Sequence, residues 1–265
     1  VTDDFAMEVS FNYTNNESLV VATNDTDGNI SLDEPRERNL RVTHIVGEQY
    51  GALYGTYFNR DDQGRIIHEM SQGYPRPSLN TSRKILGFGV PPQQLGIGAS
   101  FRYKDFNASF LVEGKAGGQI FSGTNLRLIG YGLHKMTVPA GGREAGYVPN
   151  GVLEDGTPIT QSLDYEQQQS YWGRYNDVAE SGIYDSDYFR MRQMAIGYTL
   201  PSSLLEGTFI EAASVSLIGK NLFFITNSAE NVDPESAYNN SNSAGLEFAG
   251  MPVPRTIGLN VNLKF

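Results

Sequence analysis

The sequence predicts an all-β chain whose antiparallel strands belong to a transmembrane barrel. Three observations predict it. Strand-length segments carry apolar residues at every second position. Aromatic residues gather near the ends of those segments, and the connections alternate between short turns and long loops. Successive side chains of a strand point to opposite faces, so such a segment has one oily face and one wet face. A membrane-crossing strand needs about 9–11 residues, which is the length of the clearest segments.

In chain order, Phe5, Met7, Val9, Phe11 and Tyr13 alternate with Ala6, Glu8, Ser10 and Asn12. Ile97, Ala99, Phe101 and Tyr103 alternate with Gly98, Ser100, Arg102 and Lys104. Phe106, Ala108, Phe110 and Val112 alternate with Asn107, Ser109, Leu111 and Glu113. Met194, Ile196, Tyr198 and Leu200 alternate with Gln193, Ala195, Gly197 and Thr199. Residues 213–224 (ASVSLIGKNLFF) keep the pattern less well, and the slip near Gly219 predicts a β-bulge. The most regular segment is the last: Ile257, Leu259, Val261, Leu263 and Phe265 alternate with Thr256, Gly258, Asn260, Asn262 and Lys264. One such strand fits a half-buried sheet in a soluble protein equally well. Aromatics at strand ends resemble the girdles of outer-membrane barrels and also occur in soluble sandwiches.

The connections discriminate better. With Phe265 placed at the periplasmic side, the stretches at about 24–94, 125–187 and 227–254 fall outside the cell. The links at 201–207, Lys104-Asp105 and Asn15-Asn16 fall on the periplasmic side. Short periplasmic turns and long outer loops characterise outer-membrane barrels, whereas soluble domains rarely hold several structureless connections beyond about 15 residues. The count comes to about seven strands. An incomplete barrel would leave backbone groups unpaired in lipid, so the chain, 1–265, is expected to be the C-terminal portion of one barrel domain whose remaining strands lie elsewhere. On this reading Val1 stands at the outer end of an inward-running strand, where an outer loop would be interrupted.

Composition excludes other classes. The 265 residues carry a formal charge of −10, with no basic stripe to neutralise phosphates, so nucleic acid is not a partner. Cysteine is absent, which removes disulfides, thiolate metal sites and thiol nucleophiles. No segment approaches the roughly 20 apolar residues of a membrane helix, and no signal peptide precedes Phe5.

Several blocks resemble the C-terminal part of SusC/RagA-type TonB-linked outer-membrane proteins of Bacteroidota. They are residues 46–55 (VGEQYGALYG), 109–124 (SFLVEGKAGGQIFSGT), 184–201 (YDSDYFRMRQMAIGYTLP), 215–223 (VSLIGKNLF), 231–235 (NVDPE) and the closing strand to Phe265. They occur in the family's order and cover most of the chain. The resemblance implies a 22-stranded barrel in the cell outer membrane, energised through TonB and importing glycans or peptides. It implies a partnership with a SusD-like surface lipoprotein. The plug domain and TonB box lie far N-terminal in the family, so the chain is expected to lack them and TonB to act through that missing region. A terminal aromatic such as Phe265 resembles the barrel-assembly signal and is also an ordinary girdle residue. The alternatives are the barrel of a secretion or structural complex and a soluble all-β glycan-binding module.

No catalytic constellation is visible: no carboxylate pair is selected by spacing, Gly-X-Ser-X-Gly does not occur, and residues 87–92 lack the strand–helix context of a dinucleotide loop. An enzyme is not expected, nor a resident cofactor. One calcium candidate exists. Asp25, Asp27, Gly28, Ile30 and Glu34 match positions 3, 5, 6, 8 and 12 of an EF-hand loop, but Thr23 stands where Asp opens the motif and Asp-Gly also marks plain turns. His44, His68 and His134 show no ligand spacing and read as loop or surface residues. In loop 125–187 the cluster Tyr171, Trp172, Arg174 and Tyr175 is the expected substrate-contact surface. Aromatic faces stack on sugar rings or peptide side chains, and Arg grips anionic groups. The same residues could instead pack the loop against itself or the lipoprotein.

Overall fold

The computed structural model describes residues 4–24, 26, 28–33, 39–236 and 244–265. Its main element is a six-stranded sheet: β1 (Phe5–Asn15), β2 (Gln93–Tyr103), β3 (Phe106–Ala116), β4 (Tyr188–Thr199), β5 (Ala212–Asn227) and β6 (Thr256–Lys264). The strands stand in chain order and every neighbouring pair is antiparallel. β1 and β6 are the two edges.

The register converts the sequence alternation into two continuous surfaces. One rung across all six strands is Met7, Phe101, Ala108, Ile196, Leu217, Leu259; the next on that face is Val9, Ala99, Phe110, Met194, Gly219, Ile257. The rungs of the opposite face read Glu8, Ser100, Ser109, Ala195, Ile218, Gly258 and Ala6, Arg102, Asn107, Gly197, Ser216, Asn260. Most of the apolar face is uncovered: Met7, Val9, Phe11, Ile196, Leu217, Ile257 and Leu259 are all exposed, while Phe101, Ala108 and Phe110 are partly so. On the polar face neighbouring side chains crowd the space over Gly197. A Cβ on Gly197 would lie 2.4 Å from Asn107 Oδ1 and 2.5 Å from Ser216 Oγ.

The bulge expected near Gly219 is present. Met191 pairs with Phe223 and Gln193 with Lys220, and Asn221 adopts φ +51°. On the β3 side Arg192 is the one extra residue, between pairs Met191–Val112 and Gln193–Leu111. One extra residue reverses the alternation of a strand. Tyr188 and Arg190 above the bulge therefore share the polar face with Gln193, Ala195 and Gly197 below it.

Two expectations need correction. Among the described residues the wall has six strands, and Asn15-Asn16 is not a turn on the side of Lys104-Asp105. Phe5 pairs with Tyr103 and Asn15 with Gln93, so β1 runs towards the loop end, and its first residue, Phe5, stands at the turn end. A turn at Asn15-Asn16 required another strand over 17–23. That segment is too short to match its neighbours, and it lies along the loops instead, with Val20 N–H bonded to Glu48 O and Gly47 N–H to Val20 O.

The long loops are not structureless either. They form one module at the end of the wall opposite Lys104-Asp105. Residues Asn29–Asp33, Leu40–Ile45, Ala52–Phe58 and Leu79–Phe88 make an antiparallel sheet. The hairpin Ile67–Ser71/Tyr74–Pro77 is joined in parallel by Val152–Leu153, and Gln119–Ser122 sits between Ile183–Asp185 and Leu246–Glu247. Helix α1 (Gly123–Gly130) starts at Ser122, whose hydroxyl accepts from Asn125 N–H; α2 (Tyr165–Gly173) starts with a capping box between Asp164 and Gln167. Two apolar cores hold the module. Phe58, Tyr74, Ile129, Leu163, Tyr171, Trp172, Tyr175 and Val178 form one. Leu40, Val42, Leu53, Phe121, Leu126, Ala179 and Leu246 form the other. No helix among the described residues is long and apolar enough to cross a membrane.

Candidate functional site

Three of the four expected contact residues are core. Tyr171 is 1% exposed, Trp172 4% and Tyr175 7%, and their rings pack on one another and on Tyr147 at 4.9–5.6 Å between centroids. Tyr171 and Tyr175 thus present no contact surface: three aromatics within five residues, at the end of α2 and the 3-10 turn after it, are the material from which a small module builds a core. Tyr171 donates its hydroxyl towards His68 Nε2 at 3.1 Å, with Tyr175 Oη 3.4 Å away, while His68 Nδ1 lies 3.1 Å from Ile66 O. Burial pushes the Tyr171 hydroxyl far up, raises that of Tyr175 to about 12 and lowers His68, so all three are neutral. His68 and His134 are buried rather than superficial. Arg174 stays partly exposed and pairs with Glu69 at 3.4 Å.

The densest electrostatic feature sits where β4 meets the loop module, and the bulge creates it. Arg190, 3% exposed, holds Asp233 Oδ2 at 2.5 Å through one nitrogen and Glu235 Oε2 at 2.6 Å through the other, with its guanidinium 3.9 Å over the Phe224 ring. Arg192 reaches Glu113 at 2.6 Å, Glu235 at 2.8 Å and Asn221 Oδ1 at 2.8 Å. Tyr188 donates to Glu235 at 2.7 Å, and Asp233 also accepts the backbone N–H groups of Glu235 and Val253. Burial pushes the Glu235 carboxyl up, but hydrogen bonds from Arg192 and Tyr188 and the two guanidinium charges outweigh it and hold the group below the usual range. The NVDPE segment is thereby clamped to the polar face of the wall. A second buried acid, Glu247, accepts from Ser122 and Thr124 at 2.7 and 2.6 Å at the start of α1, where helix geometry favours negative charge. Sequence reasoning missed Glu247 because its partners lie more than a hundred residues away.

A cleft of about 260 Å³ opens on the module's surface, lined by Tyr131, Gly132, Thr137, Arg143, Tyr165, Gln168, Gln169 and Trp172. Tyr131 and Tyr165 are 71% and 73% exposed. The indole N–H of Trp172 is buried without a hydrogen-bond partner among the described residues. A larger, acidic cleft of about 480 Å³ lies against His68, Glu69, Met70, Leu153, Glu154 and Asp155. Among the described residues no cluster of three or more His, Asp or Glu side chains is placed to hold a metal. Asp25, Asp27 and Glu34 of the calcium candidate lie outside the described residues. Phe265 is exposed and stacks on Phe209 at 5.5 Å.

No family model matches the chain. It is 26% identical over 286 aligned positions to the TonB-dependent receptor P3 of Formosa agariphila, covering 99% of this chain and 27% of that one. Its fold is that of part of the RagAB peptide transporter (TM-score 0.62, 15% identity, 100% of this chain and 28% of the other). It is equally similar to the RagAB peptide importer in the "open-open" state (TM-score 0.60, 14% identity) and the "closed-closed" state (TM-score 0.64, 14% identity), covering 100% of this chain and 27% and 28% of theirs. The chain thus spans about a quarter of the length of the relatives it matches. These matches agree with the resemblance read from the sequence blocks.

Proposed function

We propose that this chain is a stretch of barrel wall, with its outer loops, of an outer-membrane TonB-dependent nutrient importer that takes up oligosaccharides or peptides with a SusD-like surface lipoprotein. The uncovered apolar face carries the reading. Monomeric soluble proteins rarely leave a contiguous apolar patch above a few hundred Å² in water, and here Met7, Val9, Met194, Ile196, Leu217, Ile257 and Leu259 are exposed on one face of the sheet. Lipid is the solvent that such a face requires. The opposite face, small and polar, suits a water-filled lumen. The folded loops then stand outside the cell, and Lys104-Asp105 and residues 200–211 face the periplasm. TonB engages through a region not contained in these residues.

The test uses the full-length protein in its native membrane. It is expected to fractionate with outer membranes, to need detergent for extraction, to co-purify with a surface lipoprotein, and to lose uptake of labelled substrate when the proton-motive force is collapsed. Recovery as a monodisperse species without detergent would sink the membrane reading. Co-purification with secretion machinery, with uptake unaffected by deletion, would favour a secretion barrel instead.

A further inference from the structure

We propose that the cleft between the end of α1 and α2 is a binding site for an anionic sugar ring, with Arg143 as the anion-binding group. The inference rests on the import reading only for its physiological context; the chemistry stands on the cleft itself. The chain carries 30 acidic and 20 basic residues, yet no carboxylate lines this cleft and its single charge is Arg143. Arg143 makes no ion pair among the described residues. Its guanidinium lies against Gly132, where Nη1 would stand 3.4 Å from an added Cβ; Gly132 adopts φ +69°. An unpaired guanidinium presents a fork of donors matched to carboxylate or sulfate.

The remaining walls suit a ring. Tyr131 and Tyr165 expose flat aromatic faces at the rim, Gln169 brings an amide, and Gln168, whose amide donates to Leu163 O, and Trp172 complete the lining. A volume of about 260 Å³ falls just under the ~300–1,000 Å³ of sites that hold drug-sized ligands, so the cleft takes the end of a chain rather than its length. All the lining residues belong to helices and short turns. They offer no strand edge along which an extended peptide could add main-chain hydrogen bonds. That favours a saccharide over a peptide.

The experiment measures binding of trigalacturonate, maltotriose and triglutamate to the full-length protein in detergent by calorimetry. Trigalacturonate is expected to bind most tightly. Arg143→Gln should lower its affinity on the order of tenfold or more, to the level of maltotriose, and Tyr165→Ala should weaken both saccharides. Arg143 and Tyr165 are exposed, so both variants should keep the wild-type near-UV spectrum, and Glu154→Gln in the separate acidic cleft should bind as wild type. Preference for triglutamate, absence of trigalacturonate binding, or affinity unchanged in both variants overturns the proposal. A wild-type protein that imports its substrate but does not bind trigalacturonate refutes this site and leaves the importer reading intact. Binding retained in a protein that imports nothing does the reverse.

Discussion

Replacing Asp233 by Asn tests the clamp between the wall and the last loop. Arg190 is nearly inaccessible, and one nitrogen of its guanidinium is held by Asp233 and the other by Glu235. Breaking a buried pair by neutralising one partner costs about 3–5 kcal/mol, because the other charge stays desolvated. Glu235 remains in contact with Arg190, which places the effect at the lower end. At about 1.4 kcal/mol per tenfold, local opening of residues 228–236 should rise by roughly two orders of magnitude. Hydrogen exchange on the full-length protein reads this directly, since opening free energies differ between parts of a fold. Exchange should accelerate in residues 228–236 and around Val253, whose N–H bonds to Asp233, and stay unchanged in the middle of β2 and β3. Arg190→Met with Asp233→Leu, which removes both charges of this pair, should restore part of the protection in residues 228–236 but not at Val253, whose acceptor is gone. An increase below tenfold in Asp233→Asn, or acceleration spread evenly through β2 and β3, would refute the clamp.

Other predictions follow from the two faces and the buried histidine. Leu259→Arg, on the apolar face opposite Leu217, should destabilise the protein by about 2–4 kcal/mol in lipid. Asn260→Arg on the polar face should change it little, and urea unfolding of the two variants in bilayers compares them. His68 is buried neutral with its pKa lowered chiefly by burial. The unfolded chain therefore binds the extra proton, and the contribution is complete above about pH 6.5 and declines below it. Exchange in residues 66–77 and 163–175, corrected for intrinsic chemistry, should be faster at pH 5.5 than at pH 7.5, and His68→Phe should shrink the difference. Phe265→Ala removes the ring stacked on Phe209 and should lower the folded yield in outer membranes several-fold, measured by heat-modifiable mobility.

The wall was legible because its information is local. Each strand shows its alternation within about ten residues, and even the bulge announced itself within two residues of Asn221. The fault lay at 15–23, where a polar dipeptide looked like a turn; only the pairing of Asn15 with Gln93, far along the chain, shows that β1 ends there. The loop module was illegible for the same reason in reverse. Its strands are short, and its cores join Leu40 to Phe121 and Leu246. The aromatic cluster at 171–175 was visible as a cluster, but composition cannot distinguish rings that face a ligand from rings that face each other. Of the four residues, Trp172 lines the cleft, while Arg143 and Tyr165 beside it belong to no cluster in the sequence.

The short strand Leu246–Glu247 has a consequence for biogenesis. It docks in parallel on Phe121–Ser122 and inserts Leu246 into a core otherwise made by the two preceding loops. If these loops lie outside the cell, that core cannot be complete until all three have crossed the membrane, the last with the hairpin of β5 and β6. The module is then a checkpoint on translocation: a chain stalled before its final hairpin displays an unfinished core and an unsatisfied Ser122, available to surface proteases.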